Sequence, residues 1–262
     1  MTTTPLTITV VTLFPELFPG PLGASLTGKA LKDGRWKLNT IDIRDYGQGK
    51  HRQVDDTPYG GGAGMVLRPD VVAGALTAAF EATPDATLIH FSPRGEKITQ
   101  PLLAALAAGE RVRAAENKDT ERRTGERAVS GGIILLCGRF EAIDERVLEH
   151  YQPLELSLGD FVMTGGELAA MALMDGVIRL LDGVIGDAES LGQESFGMSE
   201  DYACLLEYPH YTKPPIWEGK NVPEPLLSGH HAQIEAWRKQ QAETVTKARR
   251  PDLWKKYIAK SS

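Results

Sequence analysis

The sequence predicts an α/β protein built around a parallel sheet, and three features indicate this. Residues 86–91 (ATLIHF) and 133–137 (IILLC) are short, continuous apolar runs, which are typical of strands buried on both faces. Residues 66–80 show helical periodicity, with apolar residues spaced three and four apart. Apolar strands and helices alternate along the chain, which is the pattern of a parallel sheet covered by helices.

The remaining elements follow from the same patterns. The predicted strands are 7–14, 36–43, 86–91, 133–137 and 154–157, and the predicted helices are 24–33, 66–80, 100–108, 141–150, 166–181, 230–249 and a last one starting at Pro251. The segments after the third, fourth and fifth strands carry glycine, serine or acids. Ligands of open parallel sheets bind at the carboxyl ends of the strands, so we expect a site there.

Composition limits the class of protein. Hydrophobic residues make up 42% of the 262 residues, enough for one large domain or for a large and a small one. No apolar run approaches the ~18 residues that span a bilayer, and no basic region precedes the first apolar stretch. Cys137 and Cys204 are isolated, which suggests neither a disulfide framework nor a zinc site. We therefore expect a cytoplasmic protein with no membrane partner.

Charge is unevenly distributed along the chain. The net charge is −6, which by itself argues weakly against nucleic-acid binding. Residues 230–262, however, contain eight lysines and arginines against three acids, so this tail carries +5. A local basic surface attracts phosphates because charges are screened only beyond ~8–10 Å at ordinary salt. On charge alone, a solvated helix face is the favoured alternative.

Two polar segments suggest the domain boundaries. The first eighteen residues of segment 110–128 hold eleven charges, which predicts a charged surface insertion. Residues 186–200 are small, polar and acidic, which predicts a linker. We therefore expect an α/β domain over residues 1–185 and a smaller helical domain over residues 201–262.

The glycine-rich loop in DDTPYGGGAGM (residues 55–65) has four glycines in five positions. Glycine richness alone more often marks a flexible loop, because glycine loses much conformational entropy on ordering. Aspartates, Tyr59 and Met65 bracket the glycines here, which suits a turn that faces a ligand.

Three further loops follow predicted strands. They are SPRGEK (92–97), CGRFEAIDERV (137–147) and SLGDFVMTGGELAAM (157–171). Together they could enclose one small ligand through backbone N–H and C=O groups, which is how an adenine is read without phosphates. The phosphate-binding loop, the zinc-protease motif and the nucleophile elbow are all absent from the sequence.

The sequence resembles the bacterial tRNA (guanine-37 N1)-methyltransferases along nearly its whole length. The matching stretches are VVTLFPELF, DDTPYGGGAGM, SPRGEKITQ, LLCGRFEAIDERV, SLGDFVMTGGELAAM, LEYPHYTKPP and LLSGHHAQIEAWR, in one order. Several long matches in one order are far more specific than one motif. The resemblance implies a SPOUT-type parallel sheet with a deep trefoil knot on its C-terminal side, then a small all-α domain.

The resemblance also implies the reaction and its participants. The expected activity is methyl transfer from S-adenosyl-L-methionine to N1 of guanosine 37, in tRNA with G36-G37, by a homodimer. Magnesium is implied as well, and the sequence shows no ligand constellation that locates it. The implied cofactor contacts are Pro93, Gly138, Glu141, Leu158, Gly159, Asp160, Phe161, Val162, Met163, Gly165 and Gly166. The implied substrate contact is Asp55, to which we add Tyr59, Gly60, Gly61 and Gly62 from the same loop.

Two residues are expected to carry the chemistry. Guanine N1 bears a proton at neutral pH, so methylation needs a base and a cation that stabilises negative charge on O6. By resemblance, Glu194 is the base and Arg179 the cation. The ordinary alternatives are a solvated linker acid and a surface arginine.

The sequence departs from the family pattern in three ways. Ala63 replaces the usual proline of the glycine-rich loop, position 194 is Glu where many relatives have Asp, and many relatives lack the charged insertion. Two other functions stay open at this point: a non-catalytic RNA-binding protein on the same fold, and a methyltransferase for small molecules. The intact loop at 157–167 argues against the first, and the basic tail argues against the second.

Overall fold

The computed structural model describes residues 4–110, 112, 131–186, 190–197, 199 and 202–260. The predicted charged insertion, residues 110–128, lies outside the described residues except for positions 110 and 112. The chain divides into two compact units, Met1–Ile185 and Gly186–Ser262. Within the described ranges, every helix is too short or too polar to span a bilayer.

A five-stranded parallel sheet forms the centre of the first unit, as the apolar runs predict. Its spatial order is β2-β1-β6-β5-β8, and every neighbouring pair is parallel. The strands of this unit are β1 Leu6–Thr12, β2 Trp36–Asp42, β3 Asp55–Asp56, β4 Val66–Leu67, β5 Thr87–Lys97, β6 Ile133–Leu136, β7 Ala142–Ile143 and β8 Leu154–Ser157.

Helices cover both faces of the sheet. They are α1 Ser25–Lys32, α2 Pro69–Ala82, α3 Gln100–Ala107, α4 Glu145–Tyr151 and α5 Glu167–Ile178. Side chains alternate between the two faces along β6. Ile133 and Leu135 join one apolar cluster, while Ile134 and Leu136 join the other, and all four side chains are at most 1% exposed. This double burial explains why the strand is a continuous apolar run rather than an alternating one.

Strand β5 is longer than its apolar run predicts. We expected it to end at Ser92-Pro93, but Glu96 and Lys97 pair with β8 after an irregularity that begins at Phe91. Pro93 has no N–H to donate to the ladder, which fits the interruption. Beyond it, a Cβ on Gly95 would lie 2.5 Å from the backbone N of Leu156, so glycine permits the close return.

A second, three-stranded sheet was not predicted. β3 pairs with β4 in antiparallel orientation, and β4 pairs with β7 in parallel. Its strands have two residues each, too short for any periodicity to appear in the sequence. Helix α4 begins at Glu145 rather than near 141, because Asp144 caps it by accepting from the N–H of Arg146 at 3.0 Å.

The second unit is mainly helical. Its elements are α6 Ser190–Gln193, β9 Ile216–Trp217, β10 Lys220–Asn221, α7 Glu224–Leu227, α8 His231–Arg249 and α9 Pro251–Lys260. Tyr202, Leu205 and Ala242 form its buried core. The hydroxyl of Thr246, in α8, accepts a hydrogen bond from the N–H of Leu206 at 2.8 Å. This bond holds the segment around Leu206 against α8.

The prediction of an all-α second unit needs one correction. β9 and β10 form a two-stranded antiparallel hairpin. Its two turn residues, Glu218 and Gly219, have φ of 48° and 75°. Positive φ at both central positions makes a tight turn that suits the twist of a hairpin. These strands, with two residues each, are again too short to show a periodicity in the sequence.

The described part of segment 186–200 is folded within the second unit. The Ser199 hydroxyl donates to the carbonyl of Gly192 at 2.6 Å. The Phe196 N–H donates to the carbonyl of Leu205 at 3.0 Å, and the Ser195 hydroxyl accepts from the N–H of Glu207 at 2.9 Å. These bonds hold residues 190–197 in a defined conformation, although their composition is that of a linker.

The assigned core predicts which leucine-to-alanine changes lower the free energy of unfolding. Leu135 is fully buried in the central strand, so Leu135→Ala should lower the free energy of unfolding by about 2–5 kcal/mol. Leu26, in α1, is 54% exposed, and Leu26→Ala should change it by no more than about 0.5 kcal/mol. Urea unfolding followed by circular dichroism measures both. Equal losses in the two variants would contradict the assigned core.

Candidate functional site

One cavity lies at the carboxyl ends of β6 and β8 and at the irregularity of β5, close to where the parallel sheet was expected to bind a ligand. Its volume is about 400 Å³. The walls come from the irregular part of β5 and from the loops after β6 and β8, and α4 and α5 supply Leu148 and Ala169. The three loops that the sequence singled out therefore meet at one place.

Most of the predicted cofactor contacts line this cavity. Those that do are Pro93, Gly138, Glu141, Leu158, Gly159, Phe161, Val162, Met163, Gly165 and Gly166. Asp160 belongs to the same loop but does not line the cavity; its carboxylate pairs with Lys97 Nζ at 3.0 Å. This pair joins the loop after β8 to the end of β5.

Two loops approach each other so closely that a side chain at Gly166 would be crowded. The Gly166 N–H donates to the carbonyl of Gly138 at 3.0 Å. A Cβ added to Gly166 would lie 3.0 Å from Cα of Cys137, which is backbone and cannot move aside easily. The chain between β8 and α5 therefore passes directly over the end of β6.

Sequence reasoning missed a buried ion pair beside the cavity. Arg139 and Glu167 lie 2.9 Å apart, and their side chains are 21% and 2% exposed. The Glu167 carboxylate also accepts from the hydroxyl of Thr12 at 2.8 Å. Both charged residues lie within quoted motifs, yet no local pattern indicates that they pair, because the pairing depends on the loop crossing.

His90 is a second residue that the sequence did not single out. It lines the cavity, is only 7% exposed, and its Nδ1 lies 3.3 Å from the carbonyl oxygen of Leu136. Burial lowers the pKa of His90, and the backbone hydrogen bond raises it in part. The ring is therefore neutral at pH 7. Burial likewise raises the pKa of the Cys137 thiol well above its ordinary value.

The outer wall of the cavity carries charged groups. Arg94 pairs with Glu145 at 3.1 Å and approaches Glu155 at 3.7 Å. The hydrogen bond to Glu145 is the largest cause that raises the pKa of Arg94, and the negative charges of Glu155 and Glu145 raise it further. Among the described residues, no group of three or more His, Cys, Asp or Glu side chains is arranged to hold a metal ion.

The glycine-rich loop lies next to the cavity rather than inside it. β7, which contributes Ala142 and Ile143 to the cavity wall, pairs with β4, and β4 pairs with the strand of Asp55. A Cβ on Gly64 would lie 2.3 Å from Glu141 Cγ, so the loop passes close to a cavity residue. Tyr59 is 99% exposed. The other predicted substrate residues, Gly60, Gly61 and Gly62, all have positive φ.

Of the two predicted catalytic residues, Arg179 belongs to the unit that holds this cavity and lies outside the cavity. Arg179 follows the last residue of α5, whereas the first residues of that helix border the cavity. Twelve helical residues span about 18 Å, so Arg179 lies at the far end of α5. Glu194 belongs to the second unit, directly after α6. Its backbone carbonyl accepts from the N–H of Gly197 at 2.8 Å.

The basic residues of the tail lie on α8 and α9. Lys247, Arg249, Lys255, Lys256 and Lys260 are exposed. Others have internal partners: Arg250 pairs with Asp252 at 2.7 Å, and the Arg238 guanidinium lies 4.9 Å from the ring centre of Tyr208.

Neutral, buried His90 predicts a pH dependence of stability. The unfolded chain, with a histidine pKa of about 6.5, binds more protons than the folded chain once the pH falls below that value. The free energy of unfolding therefore decreases as the pH falls below about 6.5. In the His90→Asn variant, the free energy of unfolding should decrease less between about pH 8 and about pH 5.5 than it does in wild type.

Urea unfolding at the two pH values measures this effect. His231 is exposed, so His231→Asn is the matched control and should keep the wild-type difference. If His90→Asn loses as much stability on acidification as wild type, His90 does not carry the effect.

Comparison with known proteins gives one consistent family. The model of the family "tRNA (Guanine-1)-methyltransferase TrmD" matches residues 6–118 and 114–256. A tRNA (guanine-N(1)-)-methyltransferase of Ruegeria pomeroyi is 51% identical over 251 residues, covering 95% of this chain and 93% of the relative. One of Cereibacter sphaeroides is 50% identical over 254 residues, covering 95% and 92%. One of Brucella ovis is 49% identical over 248 residues, covering 95% and 91%.

These matches extend across both units and include the loops that form the cavity. The resemblance seen in the quoted motifs is thus confirmed. The chain belongs to the tRNA (guanine-1)-methyltransferase family.

Proposed function

We propose that this protein transfers a methyl group from S-adenosyl-L-methionine to N1 of guanosine 37 in tRNA with G36-G37. Its relatives are tRNA (guanine-N(1)-)-methyltransferases by name. The observation that carries the proposal is the cavity, because ten of the eleven residues expected to contact the cofactor line it.

The cavity fits such a cofactor in size and chemistry. Its volume of about 400 Å³ lies within the roughly 300–1,000 Å³ of small-molecule pockets. Glycine-rich loops offer backbone N–H and C=O groups to an adenine, and Leu158 and Phe161 offer apolar contact. Glu141 also lines the cavity, and its carboxylate can face a cationic sulfonium, whereas the carboxylate of Glu145 is paired with Arg94.

We also infer that the first unit is knotted at this cavity. β8 is the edge strand and β5 separates it from β6. The chain leaving β8 nevertheless reaches the end of β6, where Gly166 bonds to Gly138. A return of this kind across the strand ends supports a crossing of the kind that the family fold implies.

The chemistry needs one proton acceptor and one cation. When bound, S-adenosyl-L-methionine would supply an activated methyl group, and its demethylated product is a neutral thioether, so the leaving group needs no acid. The carboxylate of Glu194 would accept the N1 proton of the guanine as N1 is methylated. Arg179 stabilises the charge that collects on O6.

A homodimer would complete the site. Arg179 lies about 15 Å along α5 from Ala169, the last residue of that helix to line the cavity, so we propose that a second copy of the chain supplies the arginine. Exposed apolar side chains beside the cavity support such an interface: Val162 is 86%, Leu168 64% and Phe161 57% exposed. A fully active monomer in light scattering would rule out this arrangement.

One experiment tests the activity directly. The protein is mixed with methyl-labelled S-adenosyl-L-methionine and an unmodified tRNA transcript bearing G36-G37, and the labelled nucleotide is mapped. Label on N1 of G37 is the expected result. RNA binding without transfer would instead favour the non-catalytic RNA-binding protein. Running the assay with EDTA and with added Mg²⁺ tests the magnesium requirement that the resemblance implies.

The assignment of the base predicts the effect of changing Glu194. Glu194→Gln should lower the single-turnover rate ~10²–10⁴-fold, because it removes the proton acceptor. Glu194→Asp should keep much more activity, since it shortens the reach by one methylene only. Arg179→Lys should be nearly as damaging as Arg179→Ala, because a point charge does not reproduce a planar donor fork.

Rates at saturating tRNA and S-adenosyl-L-methionine, measured over a single turnover, check this prediction. Glu224→Gln is the matched control, since Glu224 is an exposed acid of the same unit, and its rate should equal that of wild type. A Glu194→Gln variant within a few-fold of wild type would remove Glu194 from the mechanism.

The basic tail predicts a salt-dependent affinity for tRNA. Binding should weaken steeply with salt because phosphate contacts release counterions. Replacing exposed Lys255 and Lys256 by Gln should reduce the slope of log affinity against log salt by roughly 1–2. The same change at Lys29 and Lys32, exposed on α1, should leave the slope unchanged. An equal change in both pairs would show that the tail is not the binding surface.

A further inference from the structure

The buried ion pair between Arg139 and Glu167, together with Thr12, connects two strand ends and the start of a helix that lie far apart in the sequence. Glu167 begins α5, Arg139 follows β6, and Thr12 ends β1. The Glu167 carboxylate accepts from the Thr12 hydroxyl at 2.8 Å and from Arg139 Nε at 3.1 Å. A second contact, between an Arg139 terminal nitrogen and the other carboxylate oxygen, measures 2.9 Å.

The guanidinium of Arg139 makes two more contacts. Its Nη1 donates to the carbonyl of Thr164 at 3.2 Å, and the guanidinium lies 4.5 Å from the ring centre of Phe14. A planar group with several donors reaches Glu167, Thr164 and Phe14 together, which a lysine ammonium cannot do, although Glu167 Oε2 has a charge contact and no hydrogen bond. Thr12, Phe14, Arg139, Thr164 and Glu167 are hereafter called the Arg139 cluster.

Burial makes the Arg139 cluster sensitive to the loss of a member. The Glu167 side chain is 2% exposed, and a buried carboxylate is strongly unfavourable without a partner. The loop conformation that brings Arg139 to Glu167 is therefore favoured over conformations that separate them. The ion pair and its hydrogen bonds therefore restrict the conformations of the two segments that carry Arg139 and Thr164.

Those same segments form the cavity wall. Arg139, Thr164, Gly165 and Gly166 all line the cavity. A Cβ on Gly165 would lie 2.3 Å from Arg139 Nε and 2.6 Å from a Glu167 carboxylate oxygen. The loop therefore packs directly on the ion pair, and its position depends on the pair.

We propose that Arg139 and Glu167 are positioning residues that hold the loops after β6 and β8 in the arrangement that binds the cofactor. This rests on the proposed function, in which the cavity takes S-adenosyl-L-methionine. Neither residue was among the expected cofactor contacts. Their effect is on the fraction of molecules whose cavity is competent to bind.

The expected size of the effect follows from that fraction. The apparent Kd equals the intrinsic Kd divided by the competent fraction, so a fall of that fraction to about one tenth raises Kd about tenfold. R139M and E167Q should each raise the Kd for S-adenosyl-L-methionine about tenfold or more. The single-turnover rate at saturating cofactor and tRNA should stay within about threefold of wild type, because neither group takes part in proton transfer.

A double variant separates positioning from stability. R139M leaves a buried carboxylate without its cation and should lower the melting temperature. R139M/E167Q removes both charges, and such uncharged replacements often regain stability. If the pair positions the loops, the double variant regains melting temperature while its Kd stays about tenfold raised or more, since the contacts to Thr164 and Phe14 are still lost.

The measurements are isothermal titration with S-adenosyl-L-methionine and thermal unfolding, on the full-length protein. R146M is the matched control: Arg146 pairs with Asp144 at 2.7 Å but its side chain is 67% exposed, and its Kd should equal that of wild type. A double variant that binds within threefold of wild type overturns the positioning role. Wild-type protein that binds no S-adenosyl-L-methionine overturns the proposed function and this inference together.

Discussion

The close contact between the backbones of Gly166 and Gly138 is the constraint on which the cavity depends. The N–H of one lies 3.0 Å from the carbonyl oxygen of the other. This contact places the first turn of α5 over the end of β6 and closes the loop after β8 around the cavity. The contact leaves little room for a side chain at Gly166, where a Cβ would lie 3.0 Å from Cα of Cys137.

The layout of the first unit could be predicted from the sequence because its signals are local. Apolar runs such as 133–137 mark a strand buried on both faces, and the structure has β6 at Ile133–Leu136. The order of the strands in the sheet could not be obtained in this way. It depends on which helices pack together, and no periodicity along one segment records that.

The site was predicted in part, and the division has a physical cause. Loop segments of unusual composition identified most of the cavity wall, because ligand-binding loops need glycine. His90 and Arg139 were missed because each looks ordinary in its own segment. His90 sits within an apolar strand, and Arg139 gains its partner only after the chain returns from β8. Long-range pairing of single side chains has no signature in one sequence.

Burial of Cys137 has a practical consequence for chemical labelling. The chain contains two cysteines, and the thiolate is the form that reacts with maleimides. Cys137 is fully buried and its raised pKa keeps the thiol protonated, whereas Cys204, in the second unit, is partly exposed. A fluorophore therefore attaches selectively to Cys204 in the unmodified chain, and it reports on the helical unit without any engineered cysteine.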